Sequence, residues 1–167
     1  MYFQRMHDKK VGRPEEKKLE FWERLSDEVT EVPHSEGILL GGDLNGHVGT
    51  DRSGFEDVMG GFRIVERNRE GEAILEFCQS QRLKIMDTMF EKPRETLITF
   101  KSGEAETQID FILMRKMDDI LGKDCRVIPG KACLTQHRLL HLKLTVKGER
   151  KMKRMGVKRS KEWNLKD

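Results

Sequence analysis

Long apolar runs are missing from this chain: no stretch approaches the roughly 20 residues that a helix needs to cross a bilayer, so no membrane partner is expected. The N-terminal stretch Met1 to Lys10 lacks the apolar core of a secretory signal. Cysteine is scarce and odd in number, with Cys78, Cys125 and Cys133 at no metal-ligand spacing. That speaks against a disulfide framework and fits reduced thiols in an intracellular protein. No internal repeat is visible, and the chain gives no indication of its oligomeric state.

What is present is charge. Of 167 residues, 36% are hydrophobic and 37% are Asp, Glu, Lys or Arg, which describes one domain with a real core and a heavily charged surface. The net charge of +3 is uneven: Lys143 to Asp167 holds ten basic residues against three acids, and the rest of the chain holds 22 against 26. A basic tail of this kind suits phosphate backbones and also nuclear import, although such runs are often simply solvated.

Periodicity divides the chain into elements. Pro14 opens a helix through about Val32, with Glu15 and Glu16 favouring its N-terminal dipole and Leu19, Trp22, Leu25 and Val29 forming an apolar stripe. Trp22 reads as a core aromatic ahead of a base-stacking one. Pro33 ends the helix, and Gly37 to Leu40 reads as a buried strand. Asp51 to Glu66 has the composition of a long surface loop. Asn68 caps a second helix, Glu70 to Gln81, whose Ile74, Leu75, Phe77 and Cys78 face inward. Further strands are expected at Leu83 to Met86, Leu97 to Lys101, Gln108 to Leu113, Cys125 to Ile128 and Arg138 to Val146. Residues Ser102 to Glu106 form a hairpin, and Leu140, Leu142 and Leu144 alternate as one buried face. Met1 to Val11 shows no pattern. Strands interleaved with helices imply an α/β fold: a mixed sheet with flanking helices.

Three polar signals stand beside these strands, in order: Gly42-Asp43-Leu44-Asn45, Gln108-Ile109-Asp110-Phe111 and Thr135-Gln136-His137. Two residues apart on an extended chain, Asp43 and Asn45 share a side and address one phosphate, the acid holding a water or metal and the amide donating to an oxyanion. Asp110 interrupts an apolar strand and is costly to bury unless paired. His137 is the natural partner, since a carboxylate fixes the tautomer and aim of an imidazole. A hard divalent ion, Mg2+ or Mn2+, suits the remaining charge. Each signal has a plainer reading as well. Asp43 and Asn45 fit a turn, Asp110 fits the solvent face of an edge strand, and a lone histidine is more often structural. His47 either touches the site or is a loop residue. The agreement of order and strand context outweighs the separate alternatives.

The segments Gly41 to Gly49, Arg67 to Glu72, Leu97 to Gly103, Thr107 to Leu113 and Leu134 to Leu140 together resemble the endonuclease–exonuclease–phosphatase superfamily, in its retrotransposon (LINE-like) apurinic-type endonuclease branch. The resemblance implies the C-terminal portion of a two-sheet α/β sandwich, metal-dependent phosphodiester hydrolysis and DNA as partner. It implies catalytic roles for Asp43 (water activation), Asn45 (phosphate orientation), Asp110 (partner of the histidine) and His137 (transition-state stabilisation). His47 and Gln136 are the candidate substrate contacts.

Two departures qualify it. Gln136 stands where the family commonly has Asp. The early strands with the family's metal-binding Glu have no counterpart here, so the metal ligands are unassigned. On this reading residues 1–10 are unmatched, 11–147 form a partial domain and 148–167 are a basic tail. The expected activity is DNA endonuclease-like and impaired where the N-terminal half is absent. The alternative is an inactive remnant that binds nucleic acid or a protein partner through its tail.

Overall fold

The computed structural model of the chain describes residues 2–7, 15–62, 64–132 and 136–145. Pro14, Cys133, Leu134, Thr135 and the basic tail lie outside the described residues. A four-stranded sheet forms the centre, in the order β1 (Tyr2–His7), β2 (Ile38–Asp43), β6 (Asp110–Arg115), β3 (Leu83–Ile85). β1 runs parallel to β2, whereas β6 is antiparallel to both β2 and β3, so the sheet is mixed. Two antiparallel ribbons complete the strands: β4 (Phe100–Ser102) with β5 (Ala105–Thr107), and β7 (Gly122–Ala132) with β8 (Arg138–Leu144).

Strand alternation sorts the sheet into two faces. Ile38, Leu40, Phe111 and Leu113, together with Leu83 and Ile85, meet helices α1 (Glu15–Glu31) and α2 (Arg69–Ser80) in one apolar core. Leu39, Ile112 and Met114 point the other way and meet Cys125, Leu140, Leu142 and Leu144 of the β7–β8 ribbon. The layers are therefore helices, sheet and ribbon, an α/β sandwich as expected. Arg115, on the helix side, donates from Nη2 to the carbonyl of Val32 at 2.8 Å and so holds the C-terminal end of α1 against the sheet.

α2 begins where Asn68 was expected to cap it, its Oδ1 accepting the Gly71 N–H at 2.8 Å. Trp22 lies against Phe77, ring centroids 5.0 Å apart, as a core contact between the helices. Lys18 bonds Glu70 at 3.0 Å across the same junction and holds that carboxyl below its ordinary range.

Several expectations need correction. Leu19 is 58% exposed, so the α1 stripe narrows to Leu25 and Val29 with Trp22. β2 runs on through Gly41 and Gly42 to Asp43, because both glycines pair with β6 opposite Ile112 and Phe111. Residues 2–7, without a pattern of their own, gain a partner in β2 and form β1. The 51–66 segment is no plain surface loop: Phe55, Val58 and Met59 enter the core, and Ile85 N–H bonds the Val58 carbonyl at 2.9 Å. β4 pairs with a separate strand, β5, across a Gly103–Glu104 turn, not with β6. The chain then crosses from ribbon to central sheet at Gln108 and Ile109.

Candidate active site

The register between β2 and β6 sets Asp43 directly opposite Asp110. Alternation turns both toward the ribbon face, away from the helical core. Asp43 is 7% exposed. The strand ends there, and the Asp43 carboxylate accepts the Asn45 backbone N–H at 3.0 Å while Asn45 adopts a positive φ of 50°. The two residues share a neighbourhood through this tight Asx-type turn, which corrects the extended-chain argument.

His137 arrives from the other layer. Residues 136–138 pair with the edge of β4: the Gln136 carbonyl accepts the Lys101 N–H at 2.9 Å, and Arg138 N–H donates to the Thr99 carbonyl at 2.7 Å. This bridge, with His137 opposite Phe100, fuses the two ribbons into one layer. The Phe100 ring meets the imidazole edge-on, centroids 4.9 Å apart. His137 Nδ1 lies 3.0 and 3.2 Å from the two Asp110 oxygens, and Nε2 lies 3.8 Å from Asp43 Oδ2. One imidazole thus stands between two carboxylates, anchored by one and facing the other. Its Nδ1–H donates to Asp110, which directs Nε2 toward Asp43 and the space beside it.

Thr99, to which the sequence assigned no role at the site, supports this arrangement. Its Oγ1 accepts the backbone N–H of Ile109 at 3.0 Å and of Asp110 at 3.1 Å, while its carbonyl takes Arg138. One buried residue therefore braces both members of the Asp110–His137 pair. A threonine in a strand is ordinary composition, so nothing local marks it.

The Gly-rich loop after Asp43 is clamped to α2. Asn68 Oδ1 accepts the His47 N–H at 2.9 Å besides its helix cap, and Asn68 N–H donates to the His47 carbonyl at 3.0 Å. Arg67 donates from Nε to the Val48 carbonyl at 3.1 Å, bonds Glu72 at 3.0 Å and reaches the Asp51 carbonyl. The His47 ring is hydrogen-bonded through Nε2 to Thr107 Oγ1 at 2.6 Å. Gln136 turns its side chain to the hairpin, where Nε2 donates to Ser102 Oγ at 2.9 Å. The structure therefore brings Asp43, Asn45, Asp110 and His137 together, with His47 tied to the β5–β6 junction and Gln136 to the β4 hairpin.

Among the described residues no group of three or more His, Cys, Asp or Glu side chains could hold a metal ion. No helix among the described residues is long and apolar enough to cross a membrane.

No protein-family model matches the chain. It is 30% identical over 129 residues to craniofacial development protein 2 of Bos taurus, and equally to that of Tragulus javanicus. The match takes in 76% of this chain but only 22% of each relative, so the chain spans about a fifth of their length. Among solved structures, it is similar to the endonuclease domain of TRAS1, a telomere-specific non-LTR retrotransposon. The TM-score is 0.53 at 14% identity, covering 85% of this chain and 56% of that one.

Proposed function

For a chain that is homologous to craniofacial development protein 2 and has the fold of a retrotransposon endonuclease domain, we propose phosphodiester hydrolysis, with DNA as the substrate. The observation that carries the reading is the convergence of Asp43, Asp110 and His137 from two layers of the sandwich.

The chain's own residues then divide the work. Asp43 accepts the proton of the attacking water. The Asn45 carboxamide donates to a phosphate oxygen. His137, its ring oriented by Asp110 and protonated on both nitrogens, donates Nε2–H to the oxygen on which charge develops. Asp110 acts through the imidazole as a positioning residue. The divalent ion expected from the resemblance lacks a three-ligand set among the described residues, and no step is assigned to it. The basic tail adds phosphate contacts whose strength falls with salt. An intracellular, nuclear site of action goes with a DNA substrate.

The test is nicking of supercoiled plasmid with Mg2+ or Mn2+ added. The expected result is slow nicking that is lost in the Asp43→Ala, His137→Ala double variant. Equal nicking by wild type and double variant, or none by either, overturns the hydrolytic reading. Salt-sensitive DNA binding that survives the double variant and disappears on tail deletion would then support a catalytically inactive, nucleic-acid-binding role.

A further inference from the structure

Gln108 is 4% exposed, and neither its Nε2 nor its Oε1 has a hydrogen-bond partner. A buried carboxamide in that condition is costly, because both ends have left water without compensation. Gln108 lines a small, partly open cavity together with His47, Val48, Gly49 and Val65. The centre of a water molecule can move through about 10 Å³ of it. That is about the room a single water takes by this measure, and it is too little for a phosphate group or a nucleobase. Half of the cavity's lining is polar, and the two unpartnered carboxamide atoms belong to one of its lining residues.

We propose that this cavity is an internal water site, whose occupant joins the Gln108 carboxamide to the backbone of Val48 and Gly49. The bridge runs beside the His47–Thr107 hydrogen bond and ties the same two segments, the loop carrying Asn45 and the junction leading into Asp110. Gln108 is therefore a positioning residue for the Gly-rich loop. Both polar atoms of its carboxamide are buried, which sets it apart from the residues that would touch substrate. The proposal stands whether or not the chain hydrolyses DNA.

The test uses the intact chain. A high-resolution crystal structure should hold one water within hydrogen-bond distance of Gln108 and of the 48–49 backbone. In solution, the labelled Gln108 side-chain amide should show a cross-peak to a long-lived water. Gln108→Leu, similar in size and apolar, should speed amide exchange of Val48 and Gly49 roughly tenfold, the effect of losing one hydrogen bond of ordinary net strength. Gln108→Glu, which keeps acceptors, should retain the water. A dry cavity, or a protein group filling it against Gln108, overturns the proposal, as does unchanged loop exchange in Gln108→Leu. If Gln108→Leu fails to fold, the wild-type measurements decide alone.

Discussion

Gly71 sits in the first turn of α2 with the Gly-rich loop pressed against it. A Cβ built there would meet the His47 carbonyl oxygen at 1.7 Å, its carbon at 2.2 Å and Val48 N at 2.9 Å. The oxygen would have to retreat beyond 3.0 Å, so Gly71→Ala moves the loop by more than an ångström. That displacement breaks the paired hydrogen bonds between Asn68 and His47. Two effects compete. Helix propensity alone favours Ala by up to about 1 kcal/mol. Two hydrogen bonds at about 1 kcal/mol each and a steric term of about 1–3 kcal/mol oppose it. The net is a loss of about 2–4 kcal/mol, a fall in Tm of about 4–16 °C for a domain of this size. Urea unfolding followed by circular dichroism checks it, with the midpoint lowered and the slope unchanged. Gly41→Ala is the control, because its Cβ meets nothing closer than the Phe111 carbonyl oxygen at 4.0 Å. A Gly71→Ala variant as stable as wild type, or more so, would refute the packing argument and leave propensity in charge.

Other outcomes are expected on the same grounds. Thr99→Val keeps the shape but leaves two buried N–H groups without their acceptor, for a loss of about 2 kcal/mol in urea unfolding and a lower nicking rate where nicking is observed. Burial, with a smaller contribution from Asp87, pushes the Cys78 thiol far above its ordinary range. Iodoacetamide should therefore leave Cys78 unmodified in the native chain and alkylate it in urea, as mass spectrometry would report. The hydrogen bond from Lys92 holds the Asp124 carboxyl below the usual carboxylate range. A depressed folded value gives stability that is present above the unfolded pKa and lost as pH falls through the folded one. Asp124→Asn should therefore lower Tm near neutrality and shrink that gap toward strongly acidic pH; a gap constant with pH would count against the pairing.

Local features were the ones the sequence made legible. The α2 cap at Asn68 and the helix after it depend on neighbours in the chain, and they stand where the periodicity puts them. The pairing of Asp110 with His137 was legible as residue type, because an acid in an apolar strand needs a partner. What escaped depends on distant partners. Gly41 and Gly42 look like loop until β6 supplies hydrogen bonds, and residues 2–7 look like nothing until β2 does. Phe55, Val58 and Met59 are too sparse to show a period, yet they fill the core. Thr99 and Gln108 gain meaning only from groups brought beside them by the crossing from ribbon to sheet.

The pairing of Asp43 against Asp110 has one more consequence. Slipping β6 by a single residue would swing Asp110 in among Ile38, Leu40 and the helices, and would drive Phe111 and Leu113 out toward the ribbon. An unpaired carboxylate among hydrocarbon is heavily penalised. The acid that meets His137 in the aligned sheet therefore also acts as a proofreader during folding, rejecting the misaligned register.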